Sequence, residues 1–188
     1  MNYKELANTV LMLLSAPAKA WSKIIQGEER KEVTTQFVYP LIGLSGLSVF
    51  LGTFMRHSSA TFLFQEAMTR CCALFVSLFG GYFLASYLID WAGQRFFSRA
   101  SQLPLIQQFV GYSMAVIFVL QIINGLFAIE ILYWILQFYI VLVAYEGARQ
   151  LLQVEEKSLT KYSLVASAAM LLAPFLIDKL FNKLSVII

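Results

Sequence analysis

Of the chain's 188 residues, 59% are hydrophobic and only 13% charged, against about 25% charged in soluble domains. With a mean hydropathy of +0.70, there is too little Lys, Glu, Arg and Asp to cover a soluble fold of this size, which excludes that class. The net charge of +3 comes from scattered cations with no zinc, helix-turn-helix or RNA-binding motif beside them, which argues against a nucleic-acid partner.

The N-terminal stretch MNYKELANTVLMLLSAPAKAWSKIIQ places Leu6, Val10, Leu13, Leu14, Pro17, Trp21 and Ile24 at three- and four-residue intervals, on one helical face. Pro17 suits a helix start or a kink, so two short helices are expected to meet there, with Gly27 ending the second. Trp21 flanked by Lys19 and Lys23 has the chemistry of a membrane-interface anchor: an amphipathic ring at headgroup depth and long cations that snorkel to water. Residues 1–35 are therefore expected to form an amphipathic, interfacial segment on the cytoplasmic side, ahead of a membrane domain over 36–188. A secretory signal peptide ending at Ala16–Ala18 is the rival reading, but Glu5 cancels Lys4, and Asn8 and Thr9 interrupt the apolar core.

About 20 apolar residues are enough for a helix to cross the hydrocarbon. Gln36–Met55, Cys71–Ile89 and Tyr162–Ile177 fit that length as first, second and last spans. Between them, Phe109 to Tyr145 is broken by one charge, Glu130, and as a single helix would run ~55 Å, far beyond what tilting absorbs. Asn124-Gly125 is the best local breaker, which predicts a third span over Phe109–Leu126 and a fourth over Ile131–Gly147, with Glu130 at the water-facing end of the hairpin. The expected fold class is all-α: a polytopic membrane helical bundle with five transmembrane helices and an N-terminal amphipathic interfacial helix.

Cation placement orients the chain. With the N-terminus cytoplasmic and the C-terminus outside, the inner segments hold Lys4, Lys19, Lys23, Arg30, Lys31, Arg95, Arg99, Arg149, Lys157 and Lys161. The outer ones hold only Arg56, Arg70, Lys179 and Lys183. Four spans would move Arg149, Lys157 and Lys161 outside and fit less well.

Candidate chemistry is sparse. GLSG at Gly43–Gly46 matches the Gly-x-Ser-Gly around the nucleophile of rhomboid-type intramembrane proteases, but a serine nucleophile needs a base within hydrogen-bond reach. The single histidine, His57, stands ~18 Å along a continued helix from Ser45. Ser45, Gly46, Ser48 and Gly52 read instead as small residues that let helices approach closely, as do Ser77, Gly81 and Ala85, and Ser163 and Ser167. The adjacent Cys71 and Cys72 lack a second pair for a metal or redox motif and read as packing residues.

Polar groups at depth are the sharper signal, because burying them in hydrocarbon without a partner costs several kcal/mol. Gln121 and Asn124 share one face of the third span, Tyr133 and Gln137 one face of the fourth, and the hairpin brings the faces together. They read as interhelical hydrogen bonding or as the lining of a polar pathway. Asp90, Glu146 and Asp178 fall at span ends. With no HExxH, Walker loop, GxGxxG or Cys/His cluster, no enzyme, metal or cofactor is expected.

The layout resembles the Yip (Ypt-interacting protein) family of five-span membrane proteins, in its bacterial branch. SAPAKAWSKI, with Pro17, Trp21 and Ile24, resembles the family's segment just before the first span; Gly111-Tyr112-Ser113 resembles the Gly-Tyr-Ser at the start of the third span; and Pro174 resembles a proline of the last. For eukaryotic members the resemblance implies binding of prenylated Rab-type GTPases and vesicle trafficking. The proline that follows their Gly-Tyr-Ser and their acidic Asp-Leu-Tyr-Gly-Pro motif are absent here, so that function is not carried over. The expectation is a non-enzymatic scaffold or adaptor in a bacterial inner membrane, engaging membrane lipids, a membrane-protein partner or copies of itself. The alternative is a small transporter or channel lined by Gln121, Asn124, Tyr133 and Gln137.

Overall fold

A computed structural model describes residues 3–27, 32–56, 63–97 and 99–185, and every regular element among them is helical. The helices are α1 (Tyr3–Ser15), α2 (Pro17–Gln26), α3 (Tyr39–Arg56, entered through a π-helical turn at Thr34–Val38), α4 (Leu63–Phe96), α5 (Leu103–Ser113), α6 (Ala115–Phe127), α7 (Glu130–Leu136), α8 (Ile140–Gln150) and α9 (Glu156–Ser185). His57 and the Arg30–Lys31 pair lie outside the described residues.

Among the described residues, four stretches are long and apolar enough to cross a membrane: Thr34–Arg56, Leu63–Phe96, Leu103–Phe127 and Glu156–Lys183. They are built inside out relative to a soluble protein. Leu44, Leu47 and Leu51 on α3, Phe83 on α4, and Leu172 and Leu176 on α9 face outward, while Ser45, Ser48, Ser77, Ser86, Ser163 and Ser167 are buried. Hydrocarbon solvates the large apolar groups, so what gains by burial is close backbone packing. The serines tolerate it because their hydroxyls bond within their own helix, as Ser86 does to Tyr82 O (2.8 Å) and Ser163 to Leu159 O (2.7 Å), or across to the next.

Ser77 makes such a cross-bond, its hydroxyl donating to Pro174 O on α9 at 2.8 Å. One turn along α4, a side chain on Gly81 would meet the Pro174 ring and backbone at 2.6–2.8 Å, so the proline of α9 seats on a glycine. On α3, Ser45 reaches Phe118 O of α6 at 3.1 Å, and Gly52 lies against the backbone of Gly125. The GLSG serine therefore has a packing role, its hydroxyl also bonded to Leu41 O at 2.8 Å.

The turn that ends the third span is not at Asn124-Gly125. Helix α6 runs through that pair to Phe127, and the chain turns at Ala128, which takes the left-handed conformation (φ 53, ψ 42) and donates its N–H to Asn124 O. Gly125 serves close approach to α3 instead: a Cβ there would collide with Ser48 and lie 2.9 Å from Val49 N.

From Glu130 the chain returns along the bundle as α7, a 3-10 turn at Gln137–Tyr139 and α8, a broken helix in place of one continuous span. Glu130 stands with the ends of α3 (Arg56), α6 (Ala128) and α9 (Asn182). Gly147, at the other end of this stretch, stands against Trp21 of α2 and Phe109 of α5.

Helices α1 and α2 meet at Pro17, which occupies the first turn of α2, and Gly27 follows its last residue. The apolar face of α2 is covered by protein. Trp21 is 0% exposed, its ring stacks on Phe109 (6.2 Å) and meets Tyr112 edge-on (5.8 Å), and Nε1 donates to Val143 O of α8 at 2.9 Å. The Trp21 ring is thus an interior wedge and not a headgroup-depth anchor, while Lys19 and Lys23 on the same helix remain exposed. Ser22 and Gln150 bond at 2.9 Å, and Gln150 Nε2 also donates to Ala18 O. Among the described residues one core cluster runs from Val10 and Trp21 through to Ala173, so α1 and α2 pack as part of the bundle.

Candidate functional site

The helix ends and the polar face of α6 converge on two adjoining hollows. The larger, of about 610 Å³, lies between α4, α6, α7 and α9, within the size range of small-molecule sites. Helix α6 contributes Ile117 and Gln121; α7 and its 3-10 turn contribute Tyr133, Trp134, Gln137 and Phe138; α4 supplies Leu74 and Ser77. The far wall is α9, from Ala168 to Asp178. Trp134, Phe138 and Leu172 on the rim are more than half exposed, so the hollow faces sideways, toward the surroundings of the bundle.

Its lining is mainly apolar, with a polar seam. Gln121 Nε2 donates to Tyr133 Oη at 3.1 Å, joining α6 to α7 across the hairpin. Ser77's hydroxyl is committed to Pro174 O. Three of the four residues expected on the intramembrane polar face, Gln121, Tyr133 and Gln137, therefore meet in one place.

Asn124 does not join them. It lines the second hollow, of about 320 Å³, with Arg56, Arg70, Glu130, Asp178 and Asn182. Its Oδ1 is buried there and has no hydrogen-bond partner among the described residues. Arg56 donates to Gly125 O at 3.2 Å, Arg70 pairs with Glu66 at 2.7 Å, and Asn182 donates to Asp178 at 3.1 Å. Leu74 and Asp178 line both hollows, so this charged vestibule adjoins the apolar cavity. The vestibule collects the ends of α3, α6 and α9 and the starts of α4 and α7.

Sequence reasoning misses the α4 and α9 walls, because they come from distant parts of the chain. The small-residue spacing Ser77–Gly81 is the one signal that α4 receives a neighbour closely. Asp178, which the sequence marks only as an end-of-span carboxylate, is common to both hollows. Asp90, another end-of-span carboxylate, has a structural role. It accepts from Gln94 and Ser101 at 2.7 Å and from Gln102 N at 3.0 Å, tying the chain into α5. Among the described residues no three His, Cys, Asp or Glu side chains gather as metal ligands would.

The landmarks Pro17, Trp21, Gly111, Tyr112 and Ser113 form a separate cluster near the α2 end. Tyr112 packs against Phe37 (4.8 Å) as well as Trp21. Gly111 leaves room for Val33 and Val38, which a Cβ would meet at 2.7 and 2.9 Å. Ser113 is fully buried.

Large apolar side chains outside, hydroxyls and glycines inside, and a hydrogen-bonded polar pair within an apolar cavity define a polytopic α-helical membrane protein. The chain belongs to the Yip family, since residues 11–177 match the family described as Yip1 domain. No curated protein and no solved structure matches it.

Proposed function

We propose that this Yip-family protein is a non-enzymatic membrane adaptor that engages a component of its own bilayer, a lipid or the helix of a membrane partner, through the cavity between α4, α6, α7 and α9. The carrying observation is the cavity's sideways-facing apolar rim at Trp134, Phe138 and Leu172 around the Gln121–Tyr133 pair. The polar groups on its walls are few, Gln137, Ser77 and Asp178 beside that pair, whereas an apolar chain finds a broad apolar surface. Ala168, exposed on α9 and lining the cavity, is the place to fill it. In membrane discs cut directly from cells, Ala168→Trp should deplete one lipid class or one membrane protein that accompanies the natural chain at near-equal amount, as read by quantitative mass spectrometry. Unchanged disc contents would overturn the reading.

The proposed setting is a bacterial inner membrane, with five spans, a cytoplasmic N-terminus and an external C-terminus. The broken helix over 130–150 supports the fifth span: its helical residues sum to about 31 Å of rise, enough for the hydrocarbon, and it begins and ends with opposite ends of the bundle. In a background lacking Cys71 and Cys72, Glu130→Cys should react with an impermeant thiol reagent only from outside and Lys157→Cys only from inside. Labelling of both from the same side would leave four spans.

A further inference from the structure

We propose that cavity and vestibule together bind one phospholipid whose headgroup carries both a phosphate and an amine; this rests on the reading that the cavity takes a bilayer component. Three features converge on that occupant. The first is depth. Glu130 opens α7 at the vestibule, and Tyr133 and Gln137, three and seven residues on, line the cavity, about 4.5 and 10 Å further along the helix axis. Charged mouth and apolar interior are thus stacked as headgroup and acyl chain are stacked in a leaflet, and the exposed rim between α7 and α9 lets the chain enter from the side.

The second is charge. The vestibule presents two guanidinium groups, Arg56 and Arg70, the second shared with Glu66, and two carboxylates, Glu130 and Asp178. A purely anionic headgroup would set its phosphate beside both carboxylates, and a diacylglycerol would offer neither group an ion. A zwitterion satisfies both signs, its phosphate toward the arginines and its ammonium toward the acids.

The third is the polar seam of the cavity. Farther in, the Gln121–Tyr133 pair sits where ester carbonyls would follow the headgroup, and Gln121 has a second amide hydrogen to donate.

The test uses the purified full chain with dioleoyl phosphatidylethanolamine, dioleoyl phosphatidylglycerol and dioleoylglycerol, each titrated separately and read by native mass spectrometry. The natural chain should retain the ethanolamine lipid about tenfold better than either of the others, the scale set by a charge-assisted contact. The double variant Glu130→Gln with Asp178→Asn should lose its preference over the glycerol headgroup. Ala168→Trp should lose all three lipids; Ala168→Leu serves if the larger side chain lowers the yield of folded protein. Equal or better retention of phosphatidylglycerol by the natural chain, or a preference that survives the double variant, overturns the headgroup assignment and leaves the cavity reading standing. Retention of all three lipids unchanged in the Ala168 variants overturns the headgroup assignment and the lipid arm of the cavity reading together.

Discussion

Gly52→Val and Gly125→Val should each cost about 3 kcal/mol or more, whereas Gly43→Val, nine residues earlier on α3, should be nearly silent. A Cβ on Gly52 lands on the Gly125 carbonyl, and one on Gly125 lands on Ser48 with Val49 N at 2.9 Å. These obstacles include backbone on both sides, so no rotamer change relieves them and the two helices must separate. Overpacking alone costs about 1–3 kcal/mol. Separation also breaks Ser45 to Phe118 O, Ser48 to Gln121 O and Arg56 to Gly125 O, each worth roughly 0.6 kcal/mol inside a bilayer. Nothing lies within 4 Å of a Cβ on Gly43, which makes it a control for glycine loss as such. Thermal unfolding in detergent, followed by loss of the monodisperse peak, reads all three. Equal behaviour at positions 43 and 52 would falsify the α3–α6 contact. Because Gln121 and Asn124 ride on α6, the Gly52 and Gly125 variants should also lose ligand retention, linking this packing seam to the site.

The same pair shows where sequence reasoning succeeds and where it stops. Apolar runs locate the long helices, because hydrocarbon thickness sets a length that composition alone reveals. Asn124-Gly125 looks like a turn by the rules of water, where glycine in a helix is costly. In a bilayer the unbroken helix keeps its backbone groups satisfied, and a glycine gives a neighbouring helix close approach. The turn falls instead at Ala128, a residue with no special affinity for the left-handed conformation it takes, so no local signal marks it. Depth-placed polar residues are legible: the spacing of Gln121, Tyr133 and Gln137 and the hairpin between them suffice to bring them together. Asn124 separates from them because α6 carries on past it, leaving its side chain at the helix-end level of the vestibule. What periodicity lacks is the identity of the covering surface. It marks the face of α2 that holds Trp21, but that this face meets α5 and α8, and not lipid, is set only by contacts across more than 80 residues of chain.

Trp21→Ala should be among the most damaging single changes in the chain, at roughly 3–5 kcal/mol, and the pattern of lesser substitutions separates an interior wedge from an interface anchor. The indole fills space between Phe109, Tyr112 and Gly147, and a Cβ on Gly147 would meet the ring at 2.5–2.7 Å. Removing the ring leaves a void that α2 cannot close, since Ser22, Ala18 and Gln150 hold the helix beside α8. Trp21→Phe keeps most of the packing and forfeits the bond to Val143 O, about 1 kcal/mol. Gly147→Leu should match Trp21→Ala by evicting the ring from the opposite side. A wedge therefore predicts the order Ala and Leu variants far below Phe, read as unfolding midpoints. An anchor predicts another order: Trp21→Phe and Trp21→Ala alike would weaken membrane attachment of α2 while Gly147→Leu did nothing to it. In a chain keeping Trp21 with Trp91→Phe and Trp134→Phe, emission should be blue-shifted and resist aqueous quenchers, because those two rings are the half-exposed ones. Ready quenching of the remaining indole would return Trp21 to the interface.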